Sequence, residues 1–551
     1  MRLDYNPARD LFWLEVPRRE ADPALLCQEF GFSFSTPAST PETAVLFTGE
    51  PYAAASFANV ATDRAREALL WITEKIDASW APDAAGNFAV PGDKELWPFQ
   101  RASVAYCLGR VHALDGDQPG LGKTPTAIVL NNEIQAAHTL VVCPASIRHQ
   151  WKQRILEWDT GALVEKDIAV ILSSKRGIPP LPKWTIISWE LVHSPGLWRA
   201  LAKHKFDHLI LDEAHFAKHY DTKRARAVFG GGVDPVADPL IERSEKVTAL
   251  TGTPLPKRPQ EAYVLARHLA FGSIDYMSQD DFNEKYNPIK TGAFERPNGE
   301  VSFWKDEQTF CEAELQNRMR ANYMCRHLKS QVMKDLKYPL FDLIRVQETS
   351  AVKAALNAER LLDIDWTTLQ GKDAIALGHI AAARRQMGLA MAPQVADYVA
   401  MLLDGGEDKL VLFYHHVQVG DILAERLNDY GLIRVDGSDG AKRKYQKVNQ
   451  FVSDPGKRVI IGNLMSLGTG TDGLQKVAYH GLMAEADWTH AINEQAADRL
   501  YRGGQSQTVQ FDIFVVPGSI GEKVLAAALR DAEICDKALD RRPEDVVGLF
   551  K

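Results

Sequence analysis

Short runs of β-branched and aliphatic residues recur along this chain and alternate with stretches whose apolar positions follow a helical period. From Leu96 onward they are Thr139-Leu-Val-Val-Cys143, Ile168-Ala-Val-Ile-Leu172, Thr185-Ile-Ile-Ser188, His208-Leu-Ile-Leu211 and Val247-Thr-Ala-Leu250. A strand that is apolar on both faces belongs inside a parallel sheet covered by helices on both sides. A second series follows a long gap: Lys409-Leu-Val-Leu-Phe413, Gly431-Leu-Ile-Arg-Val435, Arg458-Val-Ile-Ile461, Ala478-Tyr-His-Gly-Leu482 and Val509-Gln-Phe-Asp-Ile-Phe514. Two α/β lobes are the economical reading. Between them, residues 280 to 405 lack such runs and predict helices carrying the basic clusters Arg326-His-Leu-Lys329 and Arg384-Arg385.

At the other end, residues 1 to about 90 mix alternating pieces, Phe30-Gly-Phe-Ser-Phe34 and Ala44-Val-Leu-Phe47, with turns rich in Pro and Thr. An amphipathic stretch from Thr62 to Ile76 follows, so a small β-rich unit closed by one helix is expected. Residues 81 to 93, rich in Pro, Gly, Ala and Asp, read as a linker, and Ile520 to Leu539 as a last amphipathic helix. The expected division is 1–90 accessory unit, 96–275 first lobe, 276–405 helical protrusion or linker, and 406–551 second lobe with its C-terminal helix.

Bulk properties narrow the function classes. A chain of 551 residues exceeds what one core usually supports, and 45% apolar with 25% charged residues is ordinary globular composition. The formal charge of −8 argues against a histone-like cloud of positive charge, while leaving room for a basic groove on an acidic body. The six cysteines are far apart with no C-x-x-C pair, which excludes a zinc ribbon and suits a reducing compartment. Neither an apolar leader core nor an apolar run of about 18 residues occurs, so a cytoplasmic protein without membrane contact is expected.

Four stretches carry chemistry. In Asp117-Gln-Pro-Gly-Leu-Gly-Lys-Thr124, Gly120 and Gly122 permit a tight turn whose N–H groups can cradle phosphate oxygens at a helix N-terminus. Lys123 adds a mobile charge, and the Thr124 hydroxyl has the reach for a magnesium ion. Asp117 stands where a general phosphate loop has glycine, and an ordinary turn is the competing reading. Leu209-Ile-Leu-Asp-Glu-Ala-His215 delivers Asp212 and Glu213 at the C-terminal end of a strand, the side on which α/β sheets bind ligands. There Asp212 suits a metal and Glu213 a water-activating base, or the pair is a solvated start of a helix. Leu250-Thr-Gly-Thr-Pro254 is a strand running into a turn whose hydroxyls can bond those carboxylates, and alone it is turn chemistry. Gln495, Asp498, Arg499 and Arg502 fall at spacings expected along one helical face; the arginines are either surface ion pairs or charges reaching a transferring phosphate.

Taken in order, these blocks resemble superfamily 2 helicases and, within them, the Swi/Snf-like DNA translocases, over about residues 96 to 530. Leu96-Trp-Pro-Phe-Gln100 resembles the Q motif, Asp117–Thr124 motif I, and Val141-Val-Cys-Pro-Ala-Ser-Ile-Arg-His-Gln-Trp151 motif Ia. Asp212-Glu-Ala-His215 is similar to the DEAH box and Leu250–Pro254 to motif III. Leu410-Val-Leu-Phe413, Asp436-Gly-Ser438, Gly468-Thr-Gly-Thr-Asp-Gly-Leu474 and 495 to 505 resemble motifs IV to VI. Motif Ia, Tyr323-Met-Cys-Arg-His-Leu-Lys-Ser-Gln-Val332 and Ile433-Arg-Val-Asp-Gly-Ser438 are similar to the compact annealing-helicase branch and its phage and bacterial forms. The pattern departs at Gln118-Pro119, at the irregular Gly470-Thr-Asp-Gly473, and at Thr489-His490 after Trp488.

The resemblance implies two RecA-like lobes, hydrolysis of MgATP between them, and translocation on duplex or forked DNA without sequence preference. It implies that Gln100, Gly120, Leu121, Gly122, Lys123, Thr124 and Gln495 hold the nucleotide, with Thr124 and Asp212 at Mg2+. Lys123, Asp212, Glu213, Arg499 and Arg502 would serve catalysis, and Pro144, Ser146, Gly468, Thr469 and Gly470 would contact DNA. Electrostatic candidates for DNA are Lys442, Arg443, Lys444, Lys447, Arg384 and Arg385, each of which alone also reads as a solvated helix face. A monomer in a bacterial or phage-infected cytoplasm is expected, with a possible protein partner at residues 1–90. The rival readings are a strand-separating helicase on DNA or RNA and an ATP-gated scaffold.

Overall fold

The computed structural model describes residues 1–30, 32–176, 181–231, 238–286, 290–295, 301–306, 311–362, 374–468 and 471–540. Alternation along the strands explains the first sheet. Val141 and Ile210 point into one core with Trp151 and Ile155, while Leu140, Val142, Leu209 and Leu211 point into the other with Trp189 and Phe206. Both faces are buried, which is why these strands read as continuous apolar runs. Seven parallel strands result, in the order Met324–Cys325, His112–Asp115, Ser244–Leu250, Phe206–Asp212, Thr139–Cys143, Trp184–Ser188 and Ile168–Val170.

The second sheet obeys the same rule, with Leu410, Leu412 and Tyr414 facing one core and Val411 and Phe413 the other. Its six parallel strands run Leu340–Arg345, Gln510–Val515, His480–Met483, Leu410–Tyr414, Val459–Asn463 and Ile433–Val435. The molecule is therefore α/β, with two RecA-like parallel-sheet lobes. The last helix, Ile520–Leu539, spans them: Val524 and Leu525 pack on the second lobe, Cys535, Ala538 and Leu539 in the core of the first.

A separate four-stranded antiparallel sheet, Arg2–Asn6, Leu11–Pro17, Thr43–Thr48 and Ser33–Phe34 in that order, forms the N-terminal unit. Helix Asp63–Ala78 closes it with Ala65, Ala68, Leu69, Ile72 and Ile76, capped by the Thr62 hydroxyl. The unit docks through buried Arg318 of helix Glu312–Asn322, which donates to the Asp10 and Ser273 carbonyls, 2.7 Å each, and to Glu314 Oε1 at 2.8 Å.

Two expectations are corrected, and one strand went unread. Residues 280 to 405 are not free of strands: they hold the hairpin Lys290–Glu295 with Val301–Asp306 and contribute Met324–Cys325 and Leu340–Arg345 to the two large sheets. Met324–Cys325 is too short to register as a periodic run, and Leu340–Arg345 is an edge strand whose side chains stay largely exposed. In the N-terminal unit, Pro23–Phe30 is helical where a strand was expected to begin. His112–Asp115, paired on both sides, escapes the pattern because four residues bounded by His and Asp carry no β-branched signal.

Candidate active site

The His112–Asp115 strand ends beneath the loop 116–122, and helix Lys123–Glu133 begins directly after it. Gly120 and Gly122 both have left-handed backbone, φ +89° and +84°. Only glycine fits here for a second reason: a Cβ on Gly122 would strike the Gln100 amide, and one on Gly120 would lie 3.0 Å from Arg502 Cβ. Gln100 secures the loop from outside. Its Nε2 donates to the Leu121 carbonyl at 2.9 Å, and its Oε1 accepts from the Trp97 N–H at 3.0 Å. One N–H and one carbonyl lone pair of Gln100 stay uncommitted among the described residues. Lys123 Nζ bridges the Asp117 and Gln118 carbonyls at 2.5 and 3.3 Å, and Thr124 stands half-buried in the first helical turn.

Asp117 has a structural reason to replace glycine. Its buried carboxylate accepts from the Ser103 hydroxyl at 3.1 Å and from the His327 backbone N–H at 2.8 Å, with the His327 ring Nδ1 also at 2.8 Å. Burial pushes the Asp117 carboxyl up, but the His327 charge and hydrogen bonds outweigh it and hold it below the usual range. Asp115 beside it is raised by burial and by the Asp117 charge. Pro119 packs where Gly252 of the following strand's turn has no side chain; a Cβ there would come within 2.5 Å of the proline ring.

At the end of Phe206–Asp212, Asp212 Oδ2 accepts from the Trp151 indole at 2.6 Å and Oδ1 from the Glu213 N–H at 3.0 Å. Burial, then the Glu213 charge, raises the Asp212 carboxyl above the usual range. Glu213 turns away from it through left-handed backbone, φ +52°, a strained state for a non-glycine residue. Burial raises Glu213 as well, yet His215, Lys123 and Arg499 together hold it below the usual range. Two neighbouring carboxyls thus titrate in opposite directions, which suits separate roles. The Oε2 oxygen of Glu213 is buried without a hydrogen-bond partner, 3.3 Å from His215 Nδ1. The expected bonds from the Leu250–Pro254 hydroxyls to the carboxylates are not made. Thr251 and Thr253 instead approach His215 Nδ1, at 2.9 and 3.5 Å, and so act on Glu213 through the imidazole.

The second lobe supplies the arginines, with one correction. Helix His490–Ala497 stops at Ala497 with Asp498 as its C-cap, so Arg499 and Arg502 sit on a turn and not on one helical face. Gln495 is buried on the helix and offers its carbonyl to Arg499 Nε at 3.3 Å. Arg499 Nη1 donates to the Thr471 carbonyl at 2.7 Å, and Arg502 Nη1 lies 3.4 Å from both that carbonyl and Asp472 Oδ1. Burial, then Arg502, lowers Arg499 to about 10, and Glu213 is among the charges that oppose the shift. The phosphate-type loop, the carboxylates and both arginines are therefore brought together across the lobes.

A second cleft, about 630 Å³, opens nearby between Ser146, Gln150 and Arg154 of one lobe and Lys442, Lys444 and Lys476 of the other. Pro144 precedes the single turn Ala145–Ile147 that presents Ser146, and Gly468 ends the short helix Leu464–Leu467. Thr469 and Gly470 lie outside the described residues. The basic candidates divide. Lys444 donates to the Ser466 carbonyl at 3.2 Å, while Arg443 and Lys447 pair with Asp439 at 3.1 and 2.5 Å. Arg384 is buried against Trp488 with a bond to the Ala486 carbonyl, 2.6 Å, whereas Arg385 is exposed. Sequence reasoning missed the Trp151 indole as a donor to Asp212, and it gave no sign that Arg326 and Lys329 of the basic cluster are buried.

Residues 99–373 match the model of the SNF2-related domain. The chain belongs to that family, the Swi/Snf-like branch of superfamily 2. Among relatives of this SNF2-related chain, the human (Homo sapiens) "DNA annealing helicase and endonuclease ZRANB3" is 27% identical over 468 residues, covering 82% of this chain and 41% of the relative. The "SWI/SNF-related matrix-associated actin-dependent regulator of chromatin subfamily A-like protein 1" of Xenopus tropicalis is 28% identical over 433 residues, covering 77% and 43%. The chain thus spans less than half the length of these SNF2-related relatives. The solved "Sulfolobus solfataricus SWI2/SNF2 ATPase core in complex with dsDNA" is 17% identical with a TM-score of 0.38, covering 82% of this chain and 96% of that one.

Proposed function

We propose that this SNF2-related chain is a DNA-dependent ATPase that hydrolyses ATP between its lobes and uses the cycle to translocate on, or remodel, double-stranded DNA. The observation that carries the reading is the meeting of Gly120 in the first lobe with Arg502 in the second, beside Glu213, which lies in the field of Lys123 and Arg499. A glycine cradle, a lysine, a carboxylate and two arginines from different polypeptide lobes form a set that a transferring phosphate makes useful.

The residues fit the nucleotide and its ion. The helix Lys123–Glu133 starts at Gly122 without a side-chain cap, so its first N–H groups suit phosphate oxygens. Thr124 and Asp212 offer hard oxygen donors of the kind Mg2+ takes, and the ion would neutralise phosphate charge there. Gln100, Gly120, Leu121, Gly122 and Lys123 would hold the nucleotide from the first lobe, with Gln495 toward it from the second. Glu213 would orient and deprotonate water through Oε2, which stands 3.3 Å from His215 Nδ1, and Arg499 and Arg502 would meet the charge that develops on the transferring phosphoryl group. The Ser146 and Lys444 walls of the 630 Å³ cleft, with Pro144, Gly468, Thr469 and Gly470, would grip the DNA backbone alternately, independent of sequence. Among the described residues no helix is long and apolar enough to cross a membrane. A monomer working in a bacterial or phage-infected cytoplasm, on forked as well as linear duplex, with residues 1–90 as a protein-docking unit, completes the reading. So does the division of labour into the accessory unit, two lobes and the intervening 276–405, which lends one strand to each large sheet.

Glu213→Gln tests the assignment. The variant should bind ATP and DNA yet turn over at least about 100-fold more slowly, as loss of a general base requires. A near-native rate would assign the base elsewhere.

A further inference from the structure

The segment Tyr323–Val332 stood out in the sequence as a branch feature, and the hydrolysis machinery leaves it without a task. Its residues reach in every direction from the site's rear. Met324–Cys325 is the strand beside His112–Asp115, and Arg326 donates to the Gly116 and Gly252 carbonyls at 2.6 and 2.9 Å. His327 clamps Asp117, and its carbonyl receives the Gln118 N–H at 3.1 Å. Lys329 then crosses to the other lobe. Its backbone N–H donates to Gln118 Oε1 at 2.8 Å, while its Nζ pairs with Asp498 and donates to the Tyr501 carbonyl at 2.7 Å.

That placement answers a question raised by the turn at 498–502. The helix ends at Ala497, and beyond it Arg499 is tied to the Gln495 and Thr471 carbonyls while the turn that carries both arginines needs anchors of its own. Lys329 holds the two ends of that turn, the Asp498 carboxylate and the Tyr501 carbonyl, which bracket Arg499 and adjoin Arg502. The Lys329 side chain is only 1% exposed, and its Cε lies 3.7 Å from the point where a Cβ on Gly120 would stand. A buried ammonium carrying three donors on a flexible stem reaches two acceptors of different geometry at once. We infer that Lys329 is a positioning residue for Arg499 and Arg502, linking the Gln118–Gly120 loop to the arginine turn so that the arginines are aimed only when that loop is in register. The inference rests on the proposed role of the two arginines in hydrolysis.

The test is a mutant cycle on DNA-stimulated ATP hydrolysis by the full chain, reading kcat and KM separately. Lys329→Met should lower kcat about 10- to 100-fold with KM for ATP changed less than about threefold, because aim and not ground-state binding is lost. In an Arg499→Ala/Arg502→Ala background the same change should cost under about twofold, since nothing is left to aim. Removing one member of a buried pair threatens folding, so Lys329→Met/Asp498→Asn, which leaves no orphan charge, is measured beside it with a thermal melt. A charge-balanced variant that melts like the parent and keeps full kcat overturns the inference, as does a loss in the arginine-free background equal to that in the parent. If Arg499→Ala and Arg502→Ala themselves leave kcat unchanged, the underlying reading of the arginines falls, and the inference with it.

Discussion

Glu314 holds Arg318, the side chain through which the N-terminal unit docks, and its ionisation sets a measurable part of the stability. The carboxylate is 5% exposed and meets Lys285 Nζ at 2.5 Å, Arg318 Nε at 2.8 Å and the Tyr286 hydroxyl at 3.0 Å. Burial raises its pKa, but Lys285 and Arg318 outweigh burial and bring it from 4.5 down to about 2. A depressed carboxyl stabilises the fold above its unfolded pKa, and that stability is lost as pH falls through the folded value. Between 4.5 and about 2, at roughly 1.4 kcal/mol for each pH unit, this corresponds to about 3.5 kcal/mol, present above pH 4.5 and gone near pH 2. Glu314→Gln keeps the shape and removes the charge. Denaturant unfolding of parent and variant, followed by tryptophan fluorescence from pH 2 to 7, should give a difference of about 3.5 kcal/mol at neutral pH that shrinks to nothing at the acid end. Comparing the two chains cancels the other carboxyls. A difference that is constant across pH, or that opens only above pH 6, would refute the electrostatic argument.

Three further outcomes follow from the site. Lys123→Ala should abolish ATP hydrolysis with the melting temperature unchanged, as read by a coupled ATPase assay and calorimetry; retained turnover would remove the lysine from the site. Trp151→Phe takes the indole donor from Asp212, a charge-assisted bond of about 1.5–3 kcal/mol, so kcat/KM for MgATP should fall about 10- to 100-fold. Unchanged kinetics would mean that Asp212 is held by other means. Lys442→Ala/Lys444→Ala should weaken duplex binding equally for all sequences and reduce the slope of log affinity against log salt by about 2, one per lost phosphate contact; an unchanged slope in fluorescence anisotropy would clear the 630 Å³ cleft of DNA.

Much of this architecture was written in local pattern. The strands buried on both faces announced themselves through continuous apolar runs, and the helix Ile520–Leu539 has the bounds its periodicity predicts. What escaped is where tertiary contact overrides local signal. His112–Asp115 is a strand because neighbours on both sides pair with it, and Leu340–Arg345 lies on an edge where burial writes no alternation. At the site, residue identities and order marked Lys123, Asp212 and Glu213 as candidates, and the fold brings Lys123 within the field of Glu213. Partners far apart in sequence did not show: the Trp151 indole on Asp212, 61 residues away, or His327 on Asp117, 210 residues away. Basic residues were the least legible, since Arg326, Lys329 and Arg384 have the composition of a solvated face and yet are buried. Helical spacing also misled at Arg499 and Arg502, because spacings of three and four describe a helix only where its hydrogen-bond ladder continues.

The central claim is that hydrolysis between the lobes is driven by duplex DNA. The direct measurement is the steady-state ATPase rate of the full chain against linear duplex, forked duplex, single-stranded DNA and RNA, at one ionic strength and equal nucleotide-phosphate concentration. Stimulation of at least about tenfold by both duplexes, independent of their sequence and absent with RNA, is the predicted result. Equal stimulation by single strands or RNA, or a rate indifferent to nucleic acid, would contradict the account.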